Sequence, residues 1–255
     1  MSSELKAVYV VIAREFIKFA REKGRLISTL SRPVIWLFLV GGGMSRVVAP
    51  DMGIPYMQFI FPGIIGMTIL FSSIFSSVSI LWDKEFGFMK EMLVAPVSRF
   101  SIVVGKALSG TLLSTIQALI ILLLFPFIGL KLGAAQVFFI LCISLVLSFC
   151  ISALGILIAS FFENFESFNI IINFIVMPMF FLSGAMYPVS LLPPVLRAFT
   201  SVNPLTYGID ALKYMVLPER RMLTQDFPLG TDLSVILVAS LVFVIGAGYV
   251  FERRK

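Results

Sequence analysis

Apolar residues gather in long stretches along this chain, and the charged residues stand between them. No charged residue occurs over residues 52–82 or 132–162. A helix needs about 20 consecutive apolar residues to cross a bilayer, so each stretch can form a span. The pattern predicts six spans in all, at residues 27–48, 58–82, 101–127, 136–162, 168–187 and 233–251. Arg32 interrupts the first one, so it either snorkels towards the near interface or marks a later start.

The N-terminal 25 residues have a different, amphipathic pattern. Apolar residues recur at steps of three and four, which is typical of one helix face: Leu5, Val8, Ile12, Phe16 and Phe19. Basic residues form another stripe: Arg14, Lys18, Arg21 and Arg25. The interrupting charges argue against a signal peptide, and we predict an amphipathic helix lying in the membrane interface.

Two connections are more than linkers. Residues 83–100 form a short, charged, amphipathic segment, and residues 188–232 form a long one rich in turn formers. Within the long segment, residues 195–201 and 206–216 are predicted to be short helices. Both are apolar enough to re-enter the outer leaflet, provided that protein neighbours satisfy their backbone groups. We therefore expect an all-α, polytopic membrane protein with one domain over residues 1–255.

The composition supports the membrane class and excludes several others. The chain is 59% hydrophobic and 13% charged, with a mean hydropathy of +1.03, whereas a soluble domain is about a quarter charged. The absence of histidine excludes histidine-based acid–base chemistry and histidine metal ligands. Cys142 and Cys150 lie eight residues apart in one apolar stretch, about 12 Å along a helix, too far for a disulfide.

The net charge of +6 reports orientation rather than nucleic-acid binding, because most of the excess flanks the spans. Basic residues concentrate in the N-terminal segment, in residues 83–100 and in the C-terminal tail. Lys and Arg are commoner in cytoplasmic loops than in external ones. Both termini are therefore predicted to be cytoplasmic.

The chain has no sequence that could bind ATP through a P-loop. Its single Gly-Lys pair is Gly105-Lys106, where Phe100 replaces the first glycine and Ala107 replaces the hydroxyl residue. Lys106 lies close enough to the end of its span to snorkel. No other charge stands at the centre of a clear span, as a secondary transporter would usually need. If transport is active, its energy comes from another chain.

Two segments resemble the permease subunits of type-2 ABC exporters, particularly the drug-resistance and lipooligosaccharide-export branch. The first covers residues 82–106, WDKEFGFMKEMLVAPVSRFSIVVGK, and is similar to that family's cytoplasmic loop. The second covers residues 181–213, FLSGAMYPVSLLPPVLRAFTSVNPLTYGIDALK, and is similar to its exofacial signature. Lys213 stands where arginine is commoner. The six-span layout and the chain length also match.

The resemblance implies a non-catalytic half-transporter in a prokaryotic cytoplasmic membrane. Two copies, expected to be a homodimer, would pair with two separate ATP-binding subunits that hold ATP and magnesium, and this chain would need no cofactor. The cargo would be an amphipathic drug-like or lipid-linked compound, with a lipid-linked glycan as the alternative. An ATP-independent channel or secondary carrier and a membrane hydrolase are the competing classes.

Three sets of residues are candidates for function. The coupling loop would touch the ATPase, unless it is an ordinary solvated loop, through Asp83, Glu85, Gly87, Lys90, Glu91, Pro96 and Arg99. The exofacial gate, whose residues could equally serve as helix caps, comprises Asn203, Pro204, Tyr207 and Asp210. The substrate pathway, for which helix packing or lipid contact is the alternative, comprises Phe71, Phe75, Phe174, Met177 and Phe181.

Overall fold

The computed structural model describes residues 3–45, 54–94, 97–218 and 225–253, and within them it contains helices and no strand. We number the α-helices in chain order: α1 Ser3–Arg21, α2 Lys23–Ile35, α3 Tyr56–Ser77, α4 Ser79–Glu85, α5 Phe88–Val94, α6 Arg99–Leu122, α7 Ala134–Ser160, α8 Phe165–Phe181, α9 Pro194–Val202, α10 Pro204–Val216 and α11 Leu229–Arg253. A π-helical turn, Trp36–Val40, extends α2. The all-α prediction is confirmed.

Five helical segments in the described part of the chain are long and apolar enough to cross a membrane: Ile27–Ser45, Tyr56–Glu85, Arg99–Leu122, Ala134–Ser160 and Leu229–Arg253. The predicted fifth span corresponds to α8, which is apolar but has only 17 residues. The structure therefore describes a multi-pass helical protein, and the sixth span stays a prediction.

The first span begins before Arg32. Helix α2 starts at Lys23, directly after a break in helical geometry at Glu22, and Pro33 lies inside it. The alternative in which Arg32 begins a short helix is therefore wrong. Of the predicted span, residues 46–48 lie outside the described residues.

Two predicted spans end earlier than their apolar stretches do. Helix α6 stops at Leu122, because a 3₁₀ turn over Phe125–Ile128 contains Pro126 and is followed by Gly129 in the left-handed conformation. Helix α8 stops at Phe181, and the chain turns through Gly184, whose φ is +72°. The apolar residues continue through both turns, so hydropathy alone does not locate the ends of these helices.

Helices α3, α6 and α7 form the centre of the molecule, and small residues let them approach closely. The Ser73 and Ser114 hydroxyls lie 2.8 Å apart. A Cβ added to Gly110 would lie 2.8 Å from the Ser152 hydroxyl, and one on Gly155 would lie 2.7 Å from that of Ser77. In lipid the hydrophobic effect does not drive helices together, so close van der Waals packing of this kind stabilises their association.

The long segment before α11 contains the two short helices that the sequence predicts. Helix α10 packs against α3, α7 and α11. A Cβ on Gly66 of α3 would lie 2.5 Å from Ile209, and Gly208 packs against Leu147, the midpoint of α7. Helix α10 therefore inserts deeply between longer helices, whereas most of α9 is exposed.

Candidate functional site

Four charged side chains meet where α1, α4 and α6 come together, and we call them the ionic cluster: Arg14, Glu15, Asp83 and Lys106. The Lys106 ammonium donates to Glu15 Oε1 at 2.6 Å, to Ser79 Oγ at 3.0 Å and to Asp83 Oδ2. Lys106, Glu15 and Asp83 are each less than a tenth exposed. A lysine inside an apolar helix thus has two carboxylate partners, and the prediction that it snorkels is wrong.

Arg14 completes the cluster from its more exposed side. Its guanidinium donates to Asp83 Oδ1 at 2.7 Å and to Oδ2 at 3.3 Å, a bidentate arrangement. The hydrogen bond to Asp83 raises the pKa of Arg14. The same guanidinium lies 5.1 Å from the centroid of the Phe88 ring, so it also touches α5. The cluster therefore links the N-terminal helix to both arms of the predicted coupling loop and to α6.

The coupling loop consists of α4 and α5 with a sharp turn at Gly87, whose φ is +80°. Beyond this turn, Phe88, Glu91 and Val94 are exposed, as are Glu85 and Phe86 before it. Met89 is buried against the core. The loop thus presents a mixed apolar and acidic surface that a partner protein could contact.

Three predicted coupling residues have other surroundings. Asp83 is 2% exposed and accepts hydrogen bonds within the ionic cluster. It therefore links helices inside the protein and does not form a surface contact. Arg99 donates to the carbonyls of Phe251 at 3.3 Å and Glu252 at 3.1 Å, at the end of α11. Pro96 and the side chain of Lys90 lie outside the described residues.

The predicted gate residues belong to a second, largely buried cluster, which we call the exofacial network after the side predicted for it: Asn203, Tyr207, Asp210, Lys213 and Asp226. Asn203 caps α10 by accepting from the Leu205 N–H at 3.1 Å, and it also donates to the Met179 carbonyl at 2.7 Å. The capping alternative is therefore confirmed for Asn203. Pro204 is the first residue of α10, where its missing N–H costs nothing.

Two aspartates hold the exofacial turns through backbone hydrogen bonds. The Asp210 carboxylate accepts from the N–H groups of Asp226 at 3.0 Å and Phe227 at 2.8 Å. Asp226 in turn accepts from Val189 and Ser190, each at 3.3 Å. Burial raises the pKa of Asp210 to about 6, although these N–H groups oppose the shift.

Lys213 and Tyr207 pack on aromatic rings in the same network. Lys213 is 1% exposed, its ammonium lies 5.0 Å from the Phe59 centroid, and burial lowers its pKa. Tyr207 donates to the Ser201 carbonyl at 2.8 Å, and its ring centroid lies 4.9 Å from that of Phe227. The sequence analysis missed Lys213 and Asp226 as members of this site.

The predicted pathway residues fall into separate places. Phe71 and Phe75 stack on α3, with centroids 6.5 Å apart, beside Arg32 of α2. The ring centroids of Phe181 and Trp36 lie 6.4 Å apart. Phe174 and Met177 lie exposed on α8. The structure groups the first pair with α2 and leaves much of the α8 face uncovered.

The sequence resembles known membrane permeases along nearly its whole length. The profile of the ABC-2 type transporter family matches residues 6–217. This chain belongs to the ABC-2 type transporter family. It is 32% identical to a putative transport permease ycf38 of Cyanophora paradoxa, over 83% of this chain and 74% of that protein.

Two further relatives broaden the comparison for this ABC-2 family member. The inner membrane transport permease YadH of Escherichia coli K12 is 28% identical, over 98% of this chain and 95% of YadH. Nodulation protein J of Rhizobium leguminosarum bv. viciae is 24% identical, over 75% of this chain and 74% of that protein. The family and these names support a multi-pass transport permease.

The sequence pattern does not predict the ionic cluster of this ABC-2 permease. It indicates only a basic stripe for Arg14 and a snorkelling position for Lys106. The available signal is that Asp83 and Lys106, which have opposite charges, each lie near the end of an apolar stretch, on either side of the same short loop. Glu15 carried no comparable signal, because its position in a charged helix looks ordinary.

Proposed function

We propose that this chain is the membrane subunit of an ATP-driven exporter whose ATPase is a separate protein. That subunit would supply ATP and magnesium, and this chain would catalyse no reaction itself. Two copies would form the pathway, with six spans in each and both termini in the cytoplasm. The transported compound would be an amphipathic drug-like or lipid-linked molecule, and no nucleic acid is involved.

The observation that carries this proposal is the coupling loop and its attachment. Helix α5 exposes Glu91 and Val94 beyond the Gly87 turn, while Arg14 reaches from the ionic cluster to Phe88 at its start. A push on α5 by a partner would move Arg14 and Asp83, and through Lys106 it would move α6. Close packing and paired charges transmit such displacements because they have few alternative arrangements.

The outer end supports a gate in the same proposal. Helix α10 reaches the midpoint of α7 through Gly208 and Leu147, which favours a helix that re-enters the outer leaflet. The exofacial network holds this helix at its start through Asn203 and at its midpoint through the bonds of Asp210. Opening the pathway outward would require α9 and α10 to tilt as one unit.

Uncovered apolar faces support pairing with a second copy and contact with lipid. Phe174 of α8 is 80% exposed, and most of the first span is exposed as well. On α1, the face opposite the ionic cluster exposes Leu5, Tyr9 and Ile17. We propose that α1 rests this face on the cytoplasmic leaflet, while α2 and α8 face the partner copy.

The test is reconstitution in lipid with candidate ATP-binding subunits. We expect a stable complex and ATP hydrolysis that a transported amphiphile stimulates. Glu91→Arg and Gly87→Pro should insert normally yet lower that stimulation, since one reverses a surface charge and the other removes the left-handed turn. Glu252→Arg, a reversal at another exposed cytoplasmic acid, serves as the matched control.

The outcomes separate the competing classes. Failure to form a complex with any ATP-binding subunit, together with passive substrate flux, would indicate a channel or secondary carrier. Full stimulation in both loop variants would mean that α5 is a passive linker.

A further inference from the structure

Arg32 lies inside the first span, and none of the acidic residues that the structure describes pairs with it. It is five residues after Ile27, where the span begins, or about 8 Å along α2. Its guanidinium lies 4.7 Å from the centroid of the Phe71 ring, and among the described residues it forms no ion pair. Lys106, a cation in the apolar helix α6, has two carboxylates. The contrast suggests that an anion from outside the chain completes the Arg32 site.

A cavity of about 120 Å³ opens beside this guanidinium. Its walls combine hydroxyl groups, one cation and two aromatic rings: Ser28, Thr29, Arg32, Pro33, Phe71 and Phe75. A guanidinium binds phosphate or carboxylate through two parallel hydrogen bonds, and the rings offer apolar surface for a chain attached to such a group. The chemistry of the walls therefore fits an anionic headgroup with an alkyl tail.

A second, tighter cleft between α1, α2, α3 and α6 adjoins this cavity, and it has no room for a water molecule as its side chains now stand. Thr29 and Phe75 line both spaces, and Gln117 lies in the wall of the cleft with Ser72 and Ser76. Gln117 is 2% exposed, and its amide oxygen has no hydrogen-bond partner. A buried acceptor without a donor is costly, so this oxygen favours a ligand that carries a hydroxyl or N–H group.

We propose that the groove of Arg32, Phe71, Phe75 and Gln117 binds the exported substrate, and that this substrate is an anionic amphiphile with a hydrogen-bond donor near its headgroup. This inference rests on the proposed exporter function, since it specifies the class of its cargo. Arg32 holds the anionic group, the two rings pack on the tail, and Gln117 accepts from the donor once the side chains that close the cleft move apart. An anionic phospholipid of the bilayer shares the headgroup chemistry, so the test must separate the two sources.

Binding is measured on the full chain alone, in nanodiscs of phosphatidylcholine, with radiolabelled dodecyl phosphate and with dodecanol as the neutral probe of equal tail length. We expect dodecyl phosphate to bind at least about tenfold more tightly than dodecanol. Arg32→Gln should abolish this preference, and Arg32→Lys should keep part of it because lysine lacks the planar fork. Arg197→Gln, at an exofacial arginine, is the control that retains the full preference. Equal preference in Arg32→Gln and in the original chain would overturn the proposal.

A second variant tests the inner end of the groove. Dodecyl glycerol phosphate adds hydroxyl groups next to the same anion. Gln117→Leu should weaken its binding by about fivefold and leave dodecyl phosphate unaffected. If both probes bind Gln117→Leu as they bind the original chain, the amide is not part of the site.

Two further arms identify the source of the ligand and separate this inference from the exporter function. In nanodiscs of equal parts phosphatidylcholine and phosphatidylglycerol, binding of dodecyl phosphate should persist. Complete displacement would assign the groove to a resident lipid and overturn the substrate assignment. With the ATP-binding subunit added, Arg32→Gln should lose outward movement of dodecyl phosphate while the complex still assembles. Absence of any complex would defeat only the exporter proposal, and unchanged export by Arg32→Gln would defeat only this one.

Discussion

The two ends of the helical bundle hold their buried charges in different ways. In the ionic cluster, Lys106 and Arg14 pair with the carboxylates of Glu15 and Asp83, so side chains from three helices bind one another. In the exofacial network, carboxylates accept mainly from backbone N–H groups of nearby turns, as Asp210 does from Asp226 and Phe227. The first arrangement joins separate helices, and the second fixes the shape of loops.

This difference predicts that the ionic cluster is sensitive to the loss of a side chain, whereas the exofacial network is sensitive to pH. A buried ion pair that loses one partner leaves an uncompensated charge, so the ionic cluster should tolerate no single deletion. A carboxylate that accepts from N–H groups can take up a proton and still form some of its hydrogen bonds, so the exofacial network should respond to pH instead. Under the proposed function, the inner end would transmit force and the outer end would open and close.

The largest expected effect comes from Lys106→Met. Methionine keeps much of the apolar stem but leaves Glu15 and Asp83 buried without their ammonium partner. We expect the free energy of unfolding to fall by about 3–5 kcal/mol, measured by denaturation in mixed micelles. Lys131→Met, at an exposed lysine in a loop, is the matched control and should change little. Equal stability of the two variants would show that the ion pairs do not hold α1 and α6 together.

The sequence predicts the helices of this molecule far better than it predicts the ionic cluster. Apolar stretches and turn formers locate the long helices and the two short exofacial ones, because burial in lipid and backbone hydrogen bonding act on every residue of a stretch. The cluster depends on where α1 lies against α6. Val8 and Val11 pack on Gly105, which brings Glu15 to Lys106, and no pattern within α1 specifies that contact.

The same limit explains the unequal success at the two candidate sites. Asn203 precedes Pro204 and caps α10, a local relationship that sequence spacing predicts. Asp226 reaches Val189 across a long separation in sequence, and Lys213 is buried only because α10 inserts among longer helices. Contacts that depend on tertiary packing lie beyond hydropathy and local motifs.

The second prediction concerns pH and the exofacial network. The folded-state pKa of Asp210 is raised to about 6 from 3.8, so folding takes up a proton at pH values between these two. Its stabilising contribution is therefore complete below about pH 4 and is lost as the pH rises through 6. We expect a loss of roughly 2–3 kcal/mol from this group between pH 4 and pH 7.

The measurement compares denaturation of the original chain and of Asp210→Asn across that pH range. Lys213, Asp226 and Asp232 face the same carboxylate, so the difference between the two profiles reports Asp210 together with its effect on these neighbours. The difference should change most steeply between about pH 4 and 6. Parallel profiles throughout would mean that the Asp210 carboxylate titrates as it does in the unfolded chain.

The smallest expected effect compares the turns that border the two regions, Gly87 beside the ionic cluster and Gly184 beside the exofacial network. Both have positive φ, so alanine at either position costs about 1–2 kcal/mol of backbone strain. A Cβ added to Gly184 would also lie 2.9 Å from Val189. A Cβ added to Gly87 would have no neighbouring atom within 4 Å among the described residues. Gly184→Ala should therefore destabilise the protein more, by an added 1 kcal/mol or so from crowding. Denaturation of both variants measures this, and a larger loss in Gly87→Ala would mean that the cytoplasmic turn is the more tightly packed of the two.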